Sequence, residues 1–304
     1  MRLIERQRNG ETIDQGLLKK VVDSFVSLGI DETDLNDASL DYYKEHFEMP
    51  FLVATEAYYE RESDSFVVEN SVSDYLKKAE ERLEDEEDRA ERYLHQTTRR
   101  LLITKCEHVL VRAHAELMWG NFQSLLEYDK YEGLQRMYSL LSRIPEGLGP
   151  LRRKFEEHVK RTGLAAVSEL VGTTAIETIE PKAYVNALLE VHSKSSKTVN
   201  RCFKYDAGFV ASLDSACREF VNRNAATGNS TSKSPELLAK YADALLRKNN
   251  VSEEGDLEGA LNRVVRRPQV IHHKVYIKAR STDGHIQVHG GEGRLPNFLF
   301  NKTF

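Results

Sequence analysis

From Asp14 to Leu246 the chain repeats its apolar residues every three or four positions, and this regularity restricts its fold more than any other feature. Residues spaced that way line one face of an α-helix, whereas a half-buried strand alternates at every second residue. Leu17, Val21, Phe25 and Leu28 share one such face, Leu18 and Val22 lie beside them, and Gly29 follows as a stop. Leu40, Tyr43, Phe47, Phe51, Ala54 and Tyr58 form a second, longer stripe. Large aromatics at helical steps predict a helix packed deeply against its neighbours. Pro50 lies inside that stripe, where it removes a backbone donor and its ring meets the preceding turn. The spacing therefore predicts one helix kinked near Phe47.

The next segment, "SVSDYLKKAEERLEDEEDRAERYLHQTT", opens on Ser71 or Ser73 as N-cap. Arg82 with Glu86, Asp85 with Arg89 and Asp88 with Arg92 are expected as i,i+4 ion pairs on a solvated face. The helical period continues from Arg99 to "IPEGLGP", residues 144–150, where Gly and Pro punctuate the chain. Helices resume at Leu151, after Pro181, after Asp206 as a cap, and after Ser234 as a cap with Pro235 in the first helical position. No strand pattern precedes residue 265, so the fold class is all-α, a stack of helices joined by short loops. A repeat of the tetratricopeptide or ankyrin length is not visible.

Val265 begins a different text, basic and rich in His and Gly. Residues 265–304 carry seven Lys/Arg against Asp283 and Glu292, a net +5, which leaves −10 on the rest of a chain whose total is −5. An acidic body opposes sequence-independent nucleic-acid binding, which depends on cations neutralising phosphates. The absence of a long apolar run or apolar leader argues against a membrane span and a secretory signal, and places the chain in the cytoplasm and nucleus. The sequons at Asn229, Asn250 and Asn301 then carry no weight. Cys106, Cys202 and Cys217 are widely spaced, odd in number and inside periodic segments, as expected of reduced core thiols.

No motif gathers the polar groups that catalysis needs. There is no phosphate loop, no strand leading into a G-x-G-x-x-G turn, no H-E-x-x-H and no G-x-S-x-G. His46, His95, His108, His114, His158 and His192 are scattered singly along helices, where packing and surface roles are the ordinary ones. His285 and His289 have zinc-like spacing without nearby cysteines, alongside His272 and His273, and "HGGEGR" reads as a turn. Trp119 reads as a buried aromatic, with an exposed anchor for a partner as the rival reading. No catalytic, cofactor-binding or metal-binding residue is assigned.

The blocks "LIERQRNGETID", "YYKEHFEMPFLVATEAYYERES", "VSDYLKKAEERLEDEEDRAERYLH", "GLQRMYSLLSRIPEGLGPLRRKFEEHV", "YDAGFVASLDSACREFVNRN", "SKSPELLAKYADALL" and "LEGALNRV" resemble, in this order, the N-terminal region of cullins. They look most like the cullin of SCF ubiquitin ligases, and the resemblance covers nearly all of residues 1–264. It implies an elongated stalk of stacked five-helix repeats. Residues 1–145 would be the second repeat with its first helix truncated, residues 146–264 an incomplete third, and residues 265–304 a non-cullin, disordered basic tail. It also implies a non-catalytic, rigid scaffold in ubiquitin-dependent protein degradation, with a Skp-type adaptor, F-box receptor and RING protein as partners of the complete family member.

The family's adaptor contacts lie upstream of the block that begins here at Arg2, and its RING-binding domain follows the block that ends here at Val264. The resemblance therefore implies a chain that binds neither adaptor nor RING protein and supports no ubiquitin transfer by itself. The tail has the composition of a shifted reading frame, a retained intron or a mispredicted exon; a basic tail that binds an acidic partner is the rival reading. The alternative function is a helical decoy module that binds a cullin-associated factor such as a HEAT-repeat exchange protein. No nucleic acid, membrane or cofactor is expected.

Overall fold

The computed structural model describes residues 1–28, 40–173, 179–227, 233–248, 275–277 and 288–290. They fall into two compact units, Met1–Lys154 with Arg201–Phe203, and Phe155–Asn200 with Lys204–Phe304.

The first unit begins with α1 (Arg2–Arg8), which lies before the periodic text, and α2 (Gln15–Ser27). Asp14 caps α2, its carboxylate accepting from the Leu17 amide at 2.9 Å. The face of α2 turned to the core is the one through Leu18 and Val22, whereas Leu17, Val21 and Leu28 stay 41–64% exposed. The two stripes are neighbours on the helix, and periodicity alone does not say which is buried.

Next come α3 (Asp41–Tyr43), a π-helical turn (Lys44–Glu48) and α4 (Met49–Glu69), with helical backbone angles at each junction. Pro50 sits in the first turn of α4, and the Met49 amide bonds the Lys44 carbonyl. The strain expected as a kink is accommodated by one wide turn, which makes room for a proline that lacks an amide. Tyr43, Phe47 and Phe51 are stacked through it, with ring centroids 5.4 and 5.7 Å apart.

α5 (Val72–Tyr93) is capped by Ser71, whose hydroxyl accepts from the Asp74 amide. It packs on α6 (Gln96–Glu107) and α8 (Tyr131–Leu141). Between α6 and α8 lie a second π turn (His108–Arg112) and α7 (Ala115–Glu127). Tyr75 donates its buried hydroxyl to the Leu110 carbonyl at 2.8 Å, which ties α5 to that turn. The Ile144–Pro150 break leads into α9 (Gly149–Thr173), within which the first unit gives way to the second. Gly147 is obligatory there: a Cβ would stand 2.1 Å from the Leu141 carbonyl oxygen.

The second unit continues with α10 (Pro181–Cys202), α11 (Ala207–Asn222) and α12 (Lys233–Lys248). The last residues of α10 belong to the first unit, where Phe203 meets Phe122 and Tyr138. Asp206 caps α11 through bonds from the Gly208 and Phe209 amides at 2.9 and 3.2 Å. α9 approaches α11 at Gly163, where a Cβ would lie 2.4 Å from the Phe220 ring. Buried Tyr184 donates to Ser234 at 2.8 Å and accepts from Asn224 Nδ2 at 2.9 Å. Ser234 is therefore a buried residue inside the first turn of α12 instead of its cap; the helix starts earlier, at Lys233.

Residues 265–304, expected to be a disordered tail, contain one antiparallel pair, β1 (Val275–Ile277) and β2 (Val288–Gly290), with Tyr276 opposite His289. The β-branched and aromatic residues of "VYI" suit a strand. The "LEGALNRV" block, the sequons and His272, His273 and His285 lie outside the described residues.

Candidate functional site

Polar groups gather in several places among the described residues of the first unit, and two of them bear on function. The first is sealed. Arg8, at the end of α1, is 5% exposed, and Glu86, midway along α5, is fully buried. Arg8 Nε donates to Glu86 Oε1 at 2.8 Å and its Nη2 donates to Thr55 Oγ1 of α4 at 2.7 Å. The Tyr59 hydroxyl donates to the same carboxylate oxygen at 2.5 Å, and Arg89 Nη1 donates to it as well. The rings of Phe51, Tyr58 and Tyr59 surround the Arg8 guanidinium, with centroids 5.1 to 5.6 Å from its carbon. Gln7 accepts from Arg89 Nε at 3.1 Å, and Tyr58 donates to Asn9 at 2.8 Å. Three helices are thus joined through one carboxylate.

The electrostatics favour locking over proton transfer. Burial pushes the Glu86 carboxyl up, but Arg8, Arg89 and the Tyr59 hydroxyl outweigh it and hold the group below the ordinary carboxylate range. Burial, with the neighbouring Glu86 charge, pushes the Tyr59 phenol far above its usual value. Burial lowers the Arg8 affinity for its proton, yet Glu86 raises it further and the net shift is upward. Glu86, Tyr59 and Arg8 are each driven away from neutral pH, opposite to what a general acid or base needs.

The sequence pairing of α5 is corrected here. Arg82 binds Glu62 of α4 and Asp85, not Glu86, and Arg89 binds Glu86 and Gln7, not Asp85. Asp88 and Arg92 do pair, at 2.9 Å. A signal for the buried charge was present in the sequence. Glu86 falls in register with Leu76, Ala79, Leu83, Ala90 and Tyr93, a carboxylate at a core position of an otherwise apolar stripe.

Among the described residues the histidines form no cluster with other metal-ligating side chains. His46 lies in the first π turn, with its ring 4.3 Å from that of Tyr42. His95 caps α6 by accepting from Thr97. His108 opens the second π turn, and His158 and His192 lie on α9 and α10. His114 bonds Ser63 at 3.1 Å, and burial lowers its pKa against the pull of Asp64. Among the described residues no three His, Cys, Asp or Glu side chains are grouped as a metal site. All three cysteines are buried and unpaired; burial pushes Cys202 up to about 11 and Cys217 up to about 12. Among the described residues no helix is long and apolar enough to cross a membrane.

The second place is open. A cleft of about 880 Å³ lies where the second π turn, α7 and the Ile144–Pro150 loop meet the start of α9. Trp119 is half-buried in its wall, and its Nε1 donates to the Gly147 carbonyl at 2.9 Å. The indole is neither a sealed core ring nor a free anchor; it braces the loop. Arg112, Arg152 and Arg153 line the cleft with Glu116 and Glu146.

Comparison with known proteins agrees with the resemblance noted above. The cullin alpha solenoid domain family matches residues 1–276, past Val264. Cullin-1 of Dictyostelium discoideum is 51% identical over 266 residues, 86% of this chain and 34% of that protein. Cullin-1 of Schizosaccharomyces pombe is 42% identical over 265 residues, 86% of this chain and 35% of the relative. Cullin-1 of Caenorhabditis elegans is 37% identical over 271 residues, 85% and 34% of the two chains. The chain spans about a third of the length of these relatives.

Proposed function

Since the chain belongs to the cullin family, we propose that it is the rigid spacer of an SCF-type cullin–RING ubiquitin ligase, acting in ubiquitin-dependent protein degradation. Cullin-repeat domains are non-catalytic scaffolds, and residues 1–276 are such a domain. The observation that carries the SCF reading is the 51% identity to Cullin-1 of Dictyostelium discoideum. In this reading the complete protein holds a substrate receptor, through a Skp-type adaptor and F-box protein, at a fixed distance from a RING protein and its conjugating enzyme. Holding two reactants in place raises the rate of their encounter without any chemistry by the holder. The sealed ionic lock supports a spacer role, because it joins α1, α4 and α5 through groups that do not change charge near neutral pH. A HEAT-repeat exchange factor is a further expected partner, and the cytoplasm and nucleus are the expected compartments.

The test is a chimera in which residues 1–264 replace the matching region of Dictyostelium Cullin-1. The chimera is expected to assemble with adaptor and RING protein and to support ubiquitin transfer to an F-box-bound substrate. A folded chimera that assembles but does not transfer would overturn the spacer reading. If the 304-residue chain also captured the exchange factor, that pair of results would favour the decoy module instead.

A further inference from the structure

The cleft beside Trp119 has no part in the ionic lock, and its charges are unbalanced. Many cations of this acidic unit are neutralised on the spot: Arg82 by Glu62, Arg136 by Glu80, Arg143 by Glu87 and Glu107, and Lys105 by Glu56. Arg112 and Arg153 line the cleft, are exposed, and pair with no carboxylate among the described residues. Glu116, in the first turn of α7, and Glu146 pair with neither arginine.

The walls are also preformed. Glu146 holds a left-handed backbone at φ 61°, Gly147 is packed too tightly to accept a side chain, and Trp119 is tied to the Gly147 carbonyl. A site set in advance loses little freedom when it is filled. Its volume is that of a pocket for several side chains and far exceeds a single small anion.

We propose that this cleft docks a carboxylate-bearing peptide segment of a partner protein, whose acidic side chains pair with Arg112 and Arg153 and whose apolar residues meet Trp119. Guanidinium forks match carboxylates in a bidentate manner, and an aromatic wall suits an adjacent aliphatic side chain. Nucleic acid is disfavoured, because Glu116 and Glu146 share the cleft and the body of the chain is acidic. The inference is independent of the ligase reading.

The sequence contains one tryptophan, so the intrinsic fluorescence of the whole 304-residue chain reports on this cleft. The probe is an acetylated, amidated peptide of leucine and glutamate, compared with its glutamine analogue and with inorganic phosphate. The acidic peptide is expected to change Trp119 emission saturably and to weaken as salt is raised. Arg112→Glu and Arg153→Glu should each weaken it by about tenfold or more, the Arg→Lys variants by less, and Glu116→Gln should tighten it. The comparison of peptides on the unaltered chain holds even where a variant loses helicity by circular dichroism. No saturable change, or an equal change with the glutamine analogue, would overturn the proposal. The same response to phosphate alone at the same concentration would also overturn it and leave a small-anion site.

Discussion

The two units close their polar interiors by opposite means. The first buries charge, with Arg8, Glu86 and Arg89 gathered around one carboxylate oxygen. The second buries neutral groups, with Tyr184, Ser234 and Asn224 sharing hydrogen bonds, and Asn224 also donating to the carbonyl of Phe220, the residue that Gly163 approaches. Charge is costly to bury and costlier to leave half-paired, whereas a buried neutral hydroxyl left without its partner costs about 1–3 kcal/mol. The first unit should therefore be brittle toward single changes in its network, and the second should fail mainly through shape.

The sharpest way to break that contrast is Glu86→Ala. It leaves two guanidiniums buried without their anion and should cost about 3–5 kcal/mol in denaturant unfolding. Hydrogen exchange should place the loss in α1, α4 and α5. An equal loss of protection in α10 and α11 would erase the distinction. Acid should mimic the substitution. Glu86 is held below its unfolded value, so its contribution is present above the ordinary carboxylate range and is lost as pH falls through the folded value. Protection of α1 is then expected to drop with acid before that of α11. At the alkaline end Tyr59 and Tyr184 both sit above their usual values, so both units should weaken as pH rises past the ordinary tyrosine range.

Gly163→Ala tests shape in the second unit. The new methyl meets the Phe220 ring, and the loss should be about 1–3 kcal/mol, largely recovered by pairing it with Phe220→Leu. Tyr184→Phe, which removes one hydroxyl from a neutral network, should cost about 0.5–1.5 kcal/mol. A loss as large as that of Glu86→Ala would mean that the neutral network is as tightly coupled as the charged one. Smallest of all, Asp88→Ala breaks an exposed i,i+4 pair and should change stability by less than about 0.5 kcal/mol.

The helical architecture was legible because burial in a helix bundle imprints a period on the sequence, and the stripe from Tyr43 to Tyr58 is buried nearly throughout. The choice between neighbouring stripes on α2 was not legible, because it depends on which side another helix approaches. Nor was the start of α12, since a serine before a proline signals a cap equally well when it is buried against a tyrosine. The ionic lock was half legible. Glu86 stands in the apolar register of α5, but its partner Arg8 is 78 residues away, and local spacing points instead to Arg82. The Trp119 cleft left no trace in the period because it is built from a loop, a π turn and two helix ends.

The two π turns can be regarded as settings of phase. Each admits one extra residue, and a residue in an α-helix is worth about 100° of rotation. Removing one residue from the Lys44–Glu48 turn would restore ordinary winding and swing everything beyond it around the axis, aiming Thr55 and Tyr59 away from Arg8 and Glu86. The same change in the turn at His108–Arg112 would carry Arg112 off the cleft. Like teeth in a gear train, these residues matter by their number as well as by their side chains. Phe47, Glu48, Val109, Leu110 and Val111 are buried, and substitution should be borne best at exposed Lys44, Glu45 and His108, whereas a single-residue deletion should not be borne at any position.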